Sequence, residues 1–135
     1  IGVAVGTERG LVVPVVRDAD QMSIAEIEKS INGLGKKARD GQLSMADMQG
    51  GTFTITNLGV YDVDGFTPII NPPQVGIMGL GRVVDKPVIR EGQISAGKMM
   101  FLSLTFDHRV VDGDLSARFM ADVAAILEEP ALLLD

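Results

Sequence analysis

From Lys98 to Phe106 the chain is almost continuously apolar, the pattern of a strand in a sheet covered on both faces. Broken by Ser103 and Thr105, the run falls far short of the ~20 residues a membrane-spanning helix needs, so no membrane span is expected. A buried strand requires layers on either side of it. The material is present: 46% of the 135 residues are hydrophobic. A chain of this length buries roughly two-thirds of its unfolded surface, enough for one core.

The flanking segments supply those layers. Ile1 to Val5 and Leu11 to Val16 are β-branched runs around the turn Gly6 to Gly10, predicting a hairpin, with Pro14 marking an edge or a bulge. Ser23-Ile24-Ala25-Glu26 is a capping box, and Ile24, Ile27, Ile31 and Leu34 recur at helical spacing, predicting an amphipathic helix over 24–39. Gly33 and Gly35 each weaken that helix by about 1 kcal/mol relative to Ala. Ser44 to Asp47 repeats the capping pattern for a short turn that Gly50-Gly51 ends.

Residues 52–57 read as a strand with Phe53 and Ile55 on one face and Thr52, Thr54 and Thr56 on the other. Residues 58–73 are loop, with Ile69-Ile70 extended, and such a long connection suits a functional or interfacial role. Val75 to Val84 is a buried strand whose glycines admit another backbone, and Glu91-Gly92 turns a second hairpin between 88–90 and 93–95. A last helix over 114–128 points Leu115, Phe119, Val123 and Ile126 inward, places Asp112 and Asp114 at its positive end, and stops at Pro130. The resulting class is α+β, a mixed sheet with helices packed against it.

A net charge of −6 argues against nucleic-acid binding, which needs a basic face. Without cysteine there is no disulfide, no Cys-ligated metal and no cysteine nucleophile, and a lone histidine makes a metal site of any kind unexpected. The chain opens at Ile1, without Met and already inside an apolar run, so an N-terminal portion is expected to be missing.

That lone histidine, His108, is the one candidate for an unshifted base near neutral pH. It follows the buried strand in Phe106-Asp107-His108-Arg109-Val110-Val111-Asp112-Gly113, so a rigid element aims it, and a carboxylate and a glycine follow at the mouth of a helix. Asp112 can cap that helix, or pair with Arg109 or another cation and fix the loop; both can hold at once. Arg82, Lys86, Arg90 and Lys98 outnumber Asp85 and Glu91 across 82–98, which reads as a solvated hairpin before it reads as a phosphate site.

Asp107 to Gly113 resembles the HxxxDG signature of the dihydrolipoamide acyltransferases, the core components of 2-oxo acid dehydrogenase complexes, which share it with chloramphenicol acetyltransferase. Gly50 to Asn57, Pro68 to Gln74 and Gly10 to Val15 resemble further blocks of the same family, in order along the chain. The resemblance implies a chloramphenicol acetyltransferase-like two-layer sandwich, with residues 1–135 a partial acyltransferase catalytic domain, roughly the C-terminal three-fifths.

The resemblance also implies an activity: acyl transfer between a dihydrolipoyl thiol and coenzyme A, with His108 as base, Thr56 as oxyanion donor and Asp112 holding the loop and imidazole. Asn57 takes a supporting place beside Thr56. Coenzyme A enters as substrate through contacts that no residue here identifies, the lipoyl group rides on a domain absent from this chain, and no metal takes part. The implied assembly is a homotrimer, or a larger cage of trimers, with His108 and Thr56 meeting across subunits. Its partners are the 2-oxo acid decarboxylase and dihydrolipoamide dehydrogenase components, in the cytoplasm or, in a eukaryote, the mitochondrial matrix. Two alternatives stand beside it: a catalytically silent assembly core, which would be free to lose His108 or Thr56, and an acetyltransferase for a free small molecule. The acyl group is left open between acetyl, succinyl, branched-chain and acetoin-derived.

Overall fold

The computed structural model describes residues 1–133, so the last two residues of the expected 1–135 unit lie outside the described residues. In chain order the elements are β1 (Gly2–Val3), β2 (Val5–Thr7), β3 (Gly10–Val12), α1 (Ile24–Arg39), β4 (Thr54–Asn57), β5 (Gly76–Leu80), β6 (Val84–Arg90), β7 (Gln93–Met99), β8 (Leu102–Phe106) and α2 (Gly113–Glu128). The central sheet has the order β1-β4-β5-β8, with β1, β4 and β5 parallel and β8 antiparallel to β5. β2 and β3 form one hairpin and β6 and β7 another.

Side chains alternate across the sheet, and register assigns its faces. Thr56 pairs with Gly79, which pairs with Ser103; Thr54 pairs with Ile77, which pairs with Thr105. These residues share one face, covered in part by the long loop after β4: the Phe66 ring fills the space a side chain on Gly79 would take, and Thr54 is fully buried, donating to Gln74 Oε1 at 2.5 Å. The other face carries Met78, Leu104 and Phe106 and receives α2, with Phe53 and Phe119 meeting edge to face at 5.8 Å. The helix therefore covers the apolar side and the loop covers the hydroxyl-bearing side.

α1 begins as its capping box requires, Ser23 Oγ accepting from the Glu26 amide and the Glu26 carboxylate from the Ser23 amide at 2.8 Å. Lys36, Lys37 and Arg39 in its last turn suit the negative end of the dipole.

Two expectations change, whereas the first hairpin keeps its expected span. β2 and β3 pair from Val5↔Val12 to Thr7↔Gly10, and Gly2 bridges Val15 in the same antiparallel register while β1 also pairs with β4. Pro14 O, between the two paired stretches, accepts from the Val3 amide at 2.9 Å. The apolar stretch from Val75 to Val84 is two strands, not one. At Gly81 the backbone turns away, its N–H donating to Phe101 O and that of Arg82 to Val63 O. Lys98 to Phe106 likewise divides at Met100-Phe101, so the second hairpin runs from Val84↔Met99 to Arg90↔Gln93, and β8 is an edge strand with half-buried side chains rather than one enclosed on both faces. Apolar content alone does not distinguish one long strand from two joined at a corner.

Candidate active site

Thr56 is the third residue of β4, and the chain turns sharply after it. Asn57 Oδ1 accepts from the Gly59 amide at 2.8 Å, and Gly59 sits so close to Gly81 and Arg82 that a Cβ there would meet backbone atoms at 2.7–2.8 Å. The following loop is clamped by Arg82, whose Nε donates to Asp64 at 2.7 Å and whose Nη1 lies 3.8 Å from Asp62. Arg82, counted from sequence among the cations of a solvated hairpin, thus braces the loop that leaves Thr56. Within the hairpin Lys98 pairs with Asp85, and Lys86 stands over the Phe101 ring.

The Thr56 side chain is half-buried and makes no hydrogen bond among the described residues. It lines an open cleft of about 360 Å³ together with Val5 and Leu11 from the first hairpin, Asn32 and Arg39 from α1, and Tyr61. Sequence reasoning missed the contribution of α1. The signal was there in the spacing of Ile31, Gly35 and Arg39, at i, i+4 and i+8 on one face of the helix.

His108 belongs to a turn fixed by its neighbours. The Asp107 amide donates to Val75 O at 2.9 Å, extending the β5–β8 pairing by one step, and Asp107 O accepts from the amides of Val110 and Val111, both at 3.0 Å. The Asp107 carboxylate accepts from the Arg109 amide at 3.0 Å and pairs with its guanidinium at 2.6 Å, which pulls the carboxyl down to about 2. The imidazole itself stands 71% exposed, its ring 5.5 Å from that of Phe106. Arg109 is committed to Asp107, so the pairing of Arg109 with Asp112 considered from sequence is not made.

Asp112 occupies the N-cap position of α2, yet its side chain makes no capping bond. Its Oδ1 lies instead 3.9 Å from His108 Nδ1, beyond hydrogen-bond range but close enough to favour one ring orientation electrostatically. Nδ1 faces the carboxylate and Nε2 is left open.

Within one chain His108 and Thr56 do not meet. Thr56 shares a row with Ser103, whereas His108 follows Phe106, which pairs with Gly76 at the other end of β5. Rise and strand spacing put Phe106 roughly 10 Å along the sheet and roughly 10 Å across it from Thr56. Among the described residues no group of three or more His, Cys, Asp or Glu side chains could hold a metal, and no helix is long and apolar enough to cross a membrane.

A family model for the 2-oxoacid dehydrogenases acyltransferase catalytic domain matches residues 1–134. The chain belongs to this family. A relative from Rickettsia bellii, the dihydrolipoyllysine-residue succinyltransferase component of its 2-oxoglutarate dehydrogenase complex, is 56% identical over 134 residues, covering 99% of this chain and 34% of that protein. The chain thus spans about a third of the length of that relative.

Among solved structures, the dihydrolipoamide acetyltransferase of Azotobacter vinelandii superposes with a TM-score of 0.96 at 39% identity, covering 99% of this chain and 55% of that one. That work concerns the role of a serine, a histidine and an asparagine in the catalytic mechanism, the histidine 52 residues after the serine and the asparagine 4 after the histidine. The cubic core of the pyruvate dehydrogenase multienzyme complex also superposes at 0.96, with 38% identity and coverage of 99% and 55%. The expected chloramphenicol acetyltransferase-like α+β architecture is therefore the observed one.

Proposed function

We propose that this chain is the acyl-transferring part of a 2-oxo acid dehydrogenase complex, moving an acyl group between a dihydrolipoyl thiol and coenzyme A. One observation carries the reading. Thr56, His108 and Asp112 are spaced 52 and 4 residues apart, the spacing of the serine, histidine and asparagine studied for catalysis in the Azotobacter enzyme. Each replacement preserves a functional group: a hydroxyl for a hydroxyl, and a side-chain oxygen for another.

The residues suit the reaction. A thiol of pKa ~8.5 is only a few per cent thiolate at pH 7, so attack on a thioester needs a base. His108 Nε2 takes the thiol proton as sulfur bonds to the acyl carbon, and the carbonyl oxygen becomes an oxyanion that accepts from the Thr56 hydroxyl. Collapse breaks the bond to the departing sulfur, which recovers the proton from His108. Asp112, beside Nδ1, holds the ring with Nε2 toward the thiol.

Because the two groups stand at opposite ends of one sheet, a complete site takes His108 from one protomer and Thr56 from another, as in the homotrimer that the resemblance implies. Exposed apolar side chains such as Ile69 (88%) and Val60 (73%) suit an assembled protein. We take the acyl group to be succinyl, on the strength of the Rickettsia relative. The decarboxylase and dihydrolipoamide dehydrogenase components are the partners this role requires.

The test is His108→Ala in the full gene product. Turnover of succinyl-coenzyme A with dihydrolipoamide should fall by ~10² to 10⁴ with the oligomer intact. Undiminished turnover would remove the reading, and transfer to free amines or alcohols in preference to dihydrolipoamide would favour the small-molecule alternative.

A further inference from the structure

The acyl-transfer reading leaves one feature of the Thr56 cleft unused. Arg39 is the only cation in its lining, and no carboxylate lines it among the described residues. Arg39 also enters none of the ion pairs among the described residues, unlike Arg82, Arg109 and Arg118.

Its placement is specific. The guanidinium folds back along α1 and rests over Gly35, where its nitrogens lie 3.5 and 3.9 Å from the position a Cβ would take. Gly35 is buried although it sits inside a helix, where glycine costs about 1 kcal/mol relative to alanine. A longer side chain at position 35 would occupy the space in which the guanidinium lies. Asn32 and Tyr61, on the same cleft, add neutral polar groups but no second charge.

An unpaired guanidinium on the same partly apolar cleft as the Thr56 hydroxyl is a fork for a planar or tetrahedral oxyanion. We propose that Arg39 binds an anionic group carried by a substrate of the Thr56 site, a proposal that rests on the acyl-transfer reading above. The chemistry shared by the two available sources is a carboxylate or phosphate oxygen: the distal carboxylate of a succinyl group, or a phosphate of coenzyme A. Lysine at this position keeps the charge but loses the two-pronged geometry, whereas glutamine loses both charge and fork.

The experiment compares wild type, Arg39→Gln and Arg39→Lys in the full gene product, with succinyl- and acetyl-coenzyme A as donors to dihydrolipoamide, and with coenzyme A binding followed by calorimetry. If the carboxylate is the ligand, Arg39→Gln lowers kcat/KM for succinyl transfer about tenfold or more and leaves acetyl transfer and coenzyme A affinity unchanged. If a phosphate is the ligand, both donors suffer alike and coenzyme A binds about tenfold more weakly. Arg39→Lys should fall between wild type and glutamine in either case. A glutamine variant that assembles normally and matches wild type in all three measurements overturns the proposal while leaving the acyl-transfer reading intact. A wild-type protein that transfers neither acyl group removes that reading itself.

Discussion

The Asp112 carboxylate stands with Oδ1 3.9 Å from His108 Nδ1 and makes no capping bond to the helix that Asp112 begins. An N-cap aspartate ordinarily satisfies an amide of the first turn, and its replacement by alanine costs typically about 1 kcal/mol. Here no such bond exists. Asp112→Ala should therefore change unfolding stability by less than about 0.5 kcal/mol, as at an ordinary exposed site, while acyl transfer falls. Asp112→Asn, which keeps an oxygen at the same place, should restore much of the activity. Thermal unfolding and turnover measured on the same samples decide it, and a large stability loss with unchanged turnover would reassign Asp112 to capping.

Thr56 makes the complementary prediction. Its hydroxyl has no hydrogen-bond partner among the described residues, so Thr56→Val removes no internal bond and should leave stability nearly unchanged. Turnover should drop by about 10² to 10³, the usual effect of deleting one oxyanion donor, and Thr56→Ser should retain most of it. Equal activity in valine and serine variants would exclude the hydroxyl from the chemistry.

Gly81 tests the brace behind Thr56. A Cβ at this position would stand 1.8 Å from the Asp64 carbonyl oxygen, a contact that only backbone movement can relieve. Gly81→Ala should lower stability by about 1–3 kcal/mol, as overpacking does, and displace the loop that follows Asn57. Chemical denaturation gives the first quantity. Amide chemical shifts of residues 58–64 give the second, and unperturbed shifts would count against the brace.

Acid should loosen the His108 turn within a defined window. Asp107 is held down to about 2 by hydrogen bonding and attraction from Arg109, against about 3.9 for a free aspartate. A carboxyl depressed in the folded state stabilises it fully above its unfolded value, and that contribution disappears as pH falls through the folded one. The turn over 107–111 should thus hold its geometry from neutral pH to about pH 4 and release it between about pH 4 and pH 2. Following the Val110 and Val111 amides by NMR across that range checks the sign. Release above pH 5 would contradict it.

How far the sequence carries depends on the kind of signal. The Ser23 capping box, the period of α1 and the Glu91-Gly92 turn are local, and each is found where local chemistry puts it; of the strand expected over 52–57, Thr54–Asn57 forms. Gly81 breaks an apolar run at a corner where Asp64 and Val63 approach from another segment, and the run through Met100-Phe101 divides where Phe101 O accepts from the Gly81 amide; nothing near them in sequence announces either contact. The candidate site divides the same way. His108 and Asp112 are legible as one motif, and Thr56 through its resemblance to a family block. Arg39 joins Thr56 only because α1 packs near β2, a tertiary fact.

The separation of Thr56 from His108 along the sheet has a genetic consequence under the cross-protomer reading. Protomers lacking the imidazole and protomers lacking the hydroxyl would each form inert assemblies alone. Mixed together, a share of their junctions would unite one intact half from each parent. Two defective alleles would then complement each other in a single cell, and the activity recovered would depend on how freely their products exchange partners.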